Sequence, residues 1–290
     1  MQKERRLPEW LKMQRASGEE YARVKRLVQS NHLHTICTSG NCPNIGECWN
    51  AGTATFMILG DICTRSCRFC GTATGKPLPP DKNEPKRLAE AVKTLKLKHC
   101  VITSVDRDDL PDGGAAFWAE TISEIKSMNQ GITIEALIPD FDGNPDNIGK
   151  VIDAGPDVIS HNLETVRRLT PLIRSRAKYE TSLSVIEYIA GNGMTAKSGI
   201  MVGLGETDEE VYETMDDLLQ AGCSVFTIGQ YLQPSFRHME VVSYITPARF
   251  EEYRLKGLEK GFSFVESSPL VRSSYHAEKH VSNSFVNIKK

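Results

Sequence analysis

No apolar run in these 290 residues approaches the ~18–20 needed for a membrane-spanning helix. The start, Met1-Gln2-Lys3-Glu4-Arg5-Arg6-Leu7-Pro8, lacks the apolar core of a secretory signal. Net charge is nearly absent at −2, and the basic residues are dispersed. No global field therefore draws nucleic acid or an anionic membrane. Glycine has no period, which excludes a collagenous chain. No low-complexity segment occurs, and no Pro/Ser-rich linker divides residues 53–262. What is present is 40% apolar and 25% charged residues, enough to build a full core. The expectation is a globular chain of the cytoplasm, with no nucleic-acid or membrane partner.

Cysteine is plentiful and clustered. Of eight cysteines, six fall between residues 37 and 70. In a reducing compartment such clustering favours metal ligation over disulfides. The first triplet is Cys37-Thr-Ser-Gly-Asn-Cys42-Pro-Asn-Ile-Gly-Glu-Cys48, and the second is Cys63-Thr-Arg-Ser-Cys67-Arg-Phe-Cys70. Both carry turn residues, so loops are expected for both. A structural zinc site closes with four protein ligands. A four-iron cluster held by three thiolates leaves one iron available for something else. A zinc knuckle completed by His32, His34 or His280 is the competing assignment. Cys100 and Cys223 fall in apolar strand contexts and read as inert core residues.

A helix is expected over Glu19–Val28, where Tyr21, Val24 and Val28 share a stripe. From Thr53 the pattern alternates. Strands are expected at 55–60, 100–105, 132–138, 157–160, 194–202 and 225–231. Helices are expected around Leu88–Leu95, 115–128, 147–154, 165–169, 180–190, 211–219 and 248–260. Six β–α repeats imply an α/β fold with a parallel sheet, short of a closed eight-unit barrel, that is, a (β/α)6 partial barrel. The expected division is an N-terminal extension (1–52), the core (53–262) and a C-terminal extension (263–290). Polar segments after the strands, among them Asp106–Gly114, His161–Glu164, Gly203–Glu206 and Gln230–Pro234, would face one mouth, where sites in such folds lie.

The spacing Cys63-x3-Cys67-x2-Cys70, with Phe69 before the last cysteine, resembles the signature of the radical S-adenosylmethionine (SAM) superfamily. The resemblance implies a [4Fe–4S] cluster on those thiolates whose open iron chelates SAM. An electron from the cluster then cleaves SAM to methionine and a 5′-deoxyadenosyl radical. A (β/α)6 partial barrel is the usual core there. Several further segments together resemble the lipoyl synthase family over nearly the whole chain. They are the first triplet just before the first strand, Pro8-Glu-Trp10, Asp106-Arg-Asp-Asp109, His161-Asn-Leu-Glu-Thr165, Lys197–Glu206 and Arg272-Ser-Ser-Tyr-His-Ala277.

That family resemblance implies insertion of two sulfur atoms, at C6 and C8, into an octanoyl chain amide-linked to a carrier lysine. The carriers are lipoyl domains of 2-oxoacid dehydrogenases and the glycine-cleavage H protein. It further implies an auxiliary [4Fe–4S] cluster on Cys37, Cys42 and Cys48 that gives up sulfur, with Ser274, in preference to Ser273, as its fourth ligand. SAM is the cosubstrate, and a low-potential donor such as ferredoxin or flavodoxin supplies electrons. Asn162 and Glu164 suit a ribose, or else cap the following helix. Arg174 suits the SAM carboxylate, or else a surface ion pair. Gly203 and Gly205 would let backbone approach adenine, or else form a plain turn. Asp106, Arg107 and Asp108 are candidates for carrier or SAM contacts. The rival assignments are another radical SAM sulfurtransferase, of biotin-synthase-like or methylthiolating type, and a non-catalytic zinc scaffold. The first triplet and Ser274 separate the first rival from the lipoyl synthase reading, and iron and sulfide analysis separates the second.

Overall fold

The computed structural model describes residues 7–13, 17–275, 277–279 and 281. His280, His276 and residues 1–6 and 282–290 of the expected extensions lie outside them. Helix α1 (Glu19–Ser30) precedes strand β1 (His34–Thr35) and the short helices α2 (Ile36–Ser39) and α3 (Ile45–Asn50). Strand β2 (Thr55–Ile58) follows, then β3 (Ile62–Cys63) and β4 (Ala73–Thr74). Next come α4 (Glu84–Leu95), β5 (His99–Ser104), α5 (Ala115–Met128), β6 (Thr133–Leu137), α6 (Pro145–Asp153) and β7 (Val158–Ser160). The chain continues with α7 (Thr170–Ile173), α8 (Tyr179–Gly191), β8 (Thr195–Val202), α9 (Asp208–Gln220), β9 (Val225–Gln230), α10 (Pro247–Lys260) and β10 (Phe264–Ser267).

The strands form an open eight-stranded sheet ordered β1-β2-β5-β6-β7-β8-β9-β10, and β3 pairs with β4 separately. From β2 to β10 every pairing is parallel, while β1 runs antiparallel to β2. The six expected strands are β2, β5, β6, β7, β8 and β9. They pair in sequence order because each crossover helix returns the chain to the same edge. The helices are amphipathic for the reason their spacing gives. In α4, Leu88, Ala91, Val92 and Leu95 are all buried. Helix α9 starts at a capping box between Thr207 and Glu210, which satisfies donors that a helix start leaves open.

Three features differ from the sequence expectation. The segment 165–169 is a turn, and α7 begins only at Thr170 with a proline in its first turn. Glu164, at φ +67, breaks any earlier helical start. The first triplet is not simply a loop: Cys37 lies in α2, whose N-cap Thr35 accepts from the Thr38 amide, and Cys48 lies in α3. Lastly, the sheet extends into both expected extensions, since β1 and β10 are its edges.

Candidate functional site

The C-terminal ends of the parallel strands surround a cavity of about 600 Å3. Five of the six clustered cysteines line it: Cys37 and Cys42 from the first triplet, and Cys63, Cys67 and Cys70 from the second. Asn162, Glu164, Arg174, Ser273 and Ser274 line the same cavity. Phe69 does too, and packs against the core.

The Cys63–Cys70 loop is held from several sides. The Cys63 thiol lies 3.7 Å from the Asp106 carboxylate, and the Cys67 thiol 3.7 Å from the Ser175 hydroxyl. The Arg68 amide donates to Ile173 O at 2.8 Å, and Arg68 O accepts from Met239 N at 2.9 Å. His238 Nε2 donates to Cys70 O at 2.9 Å while its Nδ1 stands 2.8 Å from the Ser235 hydroxyl. Sequence reasoning missed the anchor of this loop, Arg65. Its buried guanidinium donates to both carboxylate oxygens of Asp108 and, at 2.8 and 2.9 Å, to those of Asp140. Its place inside the cysteine loop was the available signal. Nothing local marks Asp140, 75 residues away.

Asp106 lines the cavity, and burial pushes its carboxyl up against the pull of Arg65. Asp108 is committed to Arg65 and Thr64. Arg107 does not line the cavity. It is buried, paired with Asp109, and donates to Leu59 O and Leu78 O.

Asn162 donates to Ser273 Oγ at 2.6 Å and to Glu164 Oε1 at 3.3 Å, whereas its buried Oδ1 has no partner. It does not cap a helix. The hydrogen bonds of Arg174 among the described residues go to neutral oxygens, of Ser182, Asn162 and Leu163. Arg174 is not spent in a surface pair; it lines the cavity, within electrostatic reach of the Glu164 and Asp106 carboxyls. A relay fixes it. Arg174 donates to Ser182 Oγ at 2.8 Å, Ser182 Oγ lies 3.0 Å from His161 Nε2, and His161 Nδ1 lies 3.0 Å from Ile138 O. A carbonyl can only accept, so Nδ1 carries the proton and Nε2 accepts from the Ser182 hydroxyl.

Gly203 and Gly205 do not line the cavity. Their left-handed φ values of +97° and +104° serve the loop after β8, where Gln230 and Ser243 crowd Gly203. The close-approach glycines are Gly199 and Gly229. A Cβ on the first would meet Thr227 Oγ1 at 2.4 Å, and on the second Val271 O at 2.1 Å.

Residues 270–275 meet the first triplet and its neighbours. Ser274 Oγ accepts from Thr55 Oγ1 at 2.8 Å, and Thr55 also faces the Cys37 sulfur. Asn44 Nδ2 donates to Leu270 O at 2.7 Å, and Tyr275 OH to Glu47 Oε1 at 3.0 Å. Cys48 lies outside the cavity lining but within the electrostatic reach of Cys37 and Cys42.

These residues fit iron–sulfur clusters. Burial pushes the thiols of Cys37 up to about 11 and those of Cys48 and Cys63 up to about 12. Such thiols become thiolates only against a strong local cation. Trp49 Nε1 is buried without an oxygen or nitrogen partner and stands beside the Cys37 sulfur, a donor suited to charged sulfur. Among the described residues no three His, Cys, Asp or Glu side chains converge on a point as one metal ion requires. The thiols instead edge a space. The unpartnered Asn162 Oδ1 and the guanidinium of Arg174 fit a ligand bearing hydroxyl and carboxylate groups.

The model of the Radical SAM superfamily matches residues 57–218. Lipoyl synthase of Phocaeicola vulgatus is 64% identical over 274 residues, 94% of this chain and 96% of that protein. Lipoyl synthase of Parabacteroides distasonis is 62% identical, covering 95% and 98%, and that of Treponema denticola 59%, covering 95% of each. Among solved structures, the [FeFe]-hydrogenase maturase HydG superposes with a TM-score of 0.60 at 13% identity, over 78% of this chain and 54% of that one. Methylornithine synthase (PylB) gives 0.52 at 14% identity, over 87% and 80%. At such identities the structural likeness concerns the fold alone.

Proposed function

The chain belongs to the lipoyl synthase family of the radical SAM superfamily, and from that premise we propose a division of labour among its residues. The reaction is insertion of two sulfur atoms, at C6 and C8, into an octanoyl chain carried on the lysine of a lipoyl domain. Cys63, Cys67 and Cys70 hold the cluster that meets SAM. Cys37, Cys42, Cys48 and Ser274 hold a second [4Fe–4S] cluster. When bound, these groups supply the reductive cleavage of SAM and the sulfur, chemistry beyond any acid or base of the protein.

The chain's own residues bind and orient. Arg174, charged and fixed by Ser182 and His161, engages the SAM carboxylate. Asn162 Oδ1 and Glu164 engage ribose hydroxyls. Arg65 keeps the cysteine loop in one shape through Asp108 and Asp140. Met57, Val105, Leu137, Ile200 and Leu232 on the cavity wall suit an alkyl chain and exclude water from it. Octanoylated lipoyl domains of 2-oxoacid dehydrogenases and the glycine-cleavage H protein are the proposed carriers, with ferredoxin or flavodoxin as electron donor. All eight cysteines are unpaired, which supports a reducing cytoplasm. No described helix is long and apolar enough to cross a membrane.

One observation carries the assignment: members of both triplets line a single cavity, and Ser273 and Ser274 line it with them. Sulfur held at the first triplet is thus within the same enclosure as the chemistry at the second. Ser274 is favoured over Ser273 as ligand because its hydroxyl meets Thr55, which also faces the Cys37 sulfur, whereas Ser273 is turned to Asn162. The test is anaerobic incubation of reconstituted protein with SAM, a strong reductant and an octanoyl-lysine peptide. Replacement of two hydrogens by two sulfurs, with two 5′-deoxyadenosines per product, is expected. SAM cleavage without peptide modification, with both clusters verified, would refute the substrate assignment.

A further inference from the structure

Beneath the cavity lies a charge pair that the reaction does not explain. Glu135 on β6 and Lys197 on β8 both have side-chain exposure of 0%. Lys197 Nζ lies 2.7 and 2.9 Å from the two Glu135 oxygens and 2.5 Å from Ser273 O. An ammonium group has three donors, so two go to the carboxylate and the third to the tail. Ser160 on β7, between the two strands, donates to Glu135 Oε1 at 2.9 Å. An ion pair is costly to bury unless its remaining hydrogen-bonding groups are also satisfied. The Ser273 carbonyl completes this set. Were the tail to leave, one ammonium donor would be stranded in the barrel interior.

We propose that Lys197, oriented by Glu135, is a positioning residue that clamps the Arg272–Tyr275 segment from inside the barrel and so sets where Ser274 stands beside the first cysteine triplet. The proposal rests on the reading of Ser274 as a ligand only for its catalytic consequence. The clamp itself is a property of the protein. Its neighbours bear this out. Asn162 grips the side chain of Ser273 while Lys197 grips its carbonyl. Gly229 leaves no room between β9 and Val271 O. The segment is thus fixed at its backbone by Lys197 on β8 and Gly229 on β9 and at its side chain by Asn162 after β7, not merely laid over the mouth.

Amide hydrogen exchange on K197M/E135L tests the clamp, because removing both charges together avoids leaving one buried and unpaired. Exchange across 271–275 should rise by about tenfold, the loss of one charge-assisted hydrogen bond, with β5 and β9 unchanged. K197R, which retains a charged donor, should restore much of the protection. Unchanged exchange over 271–275 in the double variant would overturn the clamp. If that variant does not fold, K197Q/E135Q is read by the same criteria. In reconstituted enzyme the same change should lower lipoyl product per 5′-deoxyadenosine while SAM cleavage continues. Loosened tail exchange with an unaltered product ratio would retain the clamp and count against Ser274 as a ligand.

Discussion

The Asn162 side-chain amide donates to the hydroxyl of Ser273 at 2.6 Å, across 111 residues of sequence. One side chain thus holds the tail segment and lines the cavity, with a buried Oδ1 that has no partner. Asn162→Ala removes both roles, and SAM affinity should fall roughly tenfold, as expected for one buried hydrogen bond. Asn162→Asp keeps an acceptor but loses the donor to Ser273 and sets a second carboxylate against Glu164. It should bind SAM no better than the alanine variant. Anaerobic calorimetry reads both, and wild-type affinity in Asn162→Ala would remove Asn162 from the SAM site.

His161 links this site to pH. Burial, and then Arg174, pull its imidazole down to about 4 from 6.5, against the opposing effect of Asp140. The folded protein keeps it neutral while the unfolded chain protonates below 6.5. Unfolding therefore takes up one proton between pH 6.5 and 4, and stability rises with pH in that window. The contribution is about 1.4 kcal/mol per pH unit well inside it and vanishes above it. Protonation would also make Nε2 a donor, reversing its bond to Ser182 and leaving the serine hydroxyl proton without its acceptor. In His161→Gln the stability curve from denaturant unfolding should be flatter by about one proton between pH 6 and 5. Parallel curves for the two proteins would show that His161 does not titrate this way.

Gly229 offers a steric probe of the tail. A methyl group there would sit 2.1 Å from Val271 O, a contact that backbone cannot absorb without moving. Gly229→Ala should displace residues 271–274 and lower sulfur insertion by roughly tenfold or more, since misplacement of about 1 Å has cost that much elsewhere. SAM cleavage, proposed to depend on the second triplet, should change far less. The ratio of lipoyl product to 5′-deoxyadenosine is the measurement. Equal loss of both would point to damage of the whole barrel.

What could be read from sequence was local. Periodicity placed the six inner strands and the long helices within a few residues, because each buries a stripe or a run of its own. The triplets were legible because their members lie within twelve residues. What escaped was contact at long range between ordinary residue types. Arg65 meets Asp140, Thr55 meets Ser274, and Lys197 meets Ser273 across 75, 219 and 76 residues. Serine, aspartate and threonine abound in solvated loops, so nothing in their spacing singles these out. Gly203 and Gly205 show the converse. A glycine pair after a strand suggests close approach to a ligand, but here Gln230 and Ser243 fill the space at Gly203, and the cavity uses Gly199 and Gly229.

Ser274 gives the sharpest separation of binding from turnover. Oxygen is a harder ligand than thiolate for iron, and a serine at one corner should let that corner open as sulfur departs. Ser274→Cys offers a softer, tighter donor at the same position, beside Thr55 and Cys37. Iron and sulfide content should stay near the wild-type value, about eight irons per chain if two full clusters are bound. Conversion of octanoyl peptide should fall at least about tenfold, as expected when only the step after binding is impaired. Ser274→Ala should instead lose iron, because it removes the proposed ligand. Two changes then distinguish the roles of one side chain. Retained iron with slowed insertion in the cysteine variant marks a ligand that must let go. Unchanged insertion there would mean the corner never opens, and unchanged iron in the alanine variant would mean that Ser274 holds none.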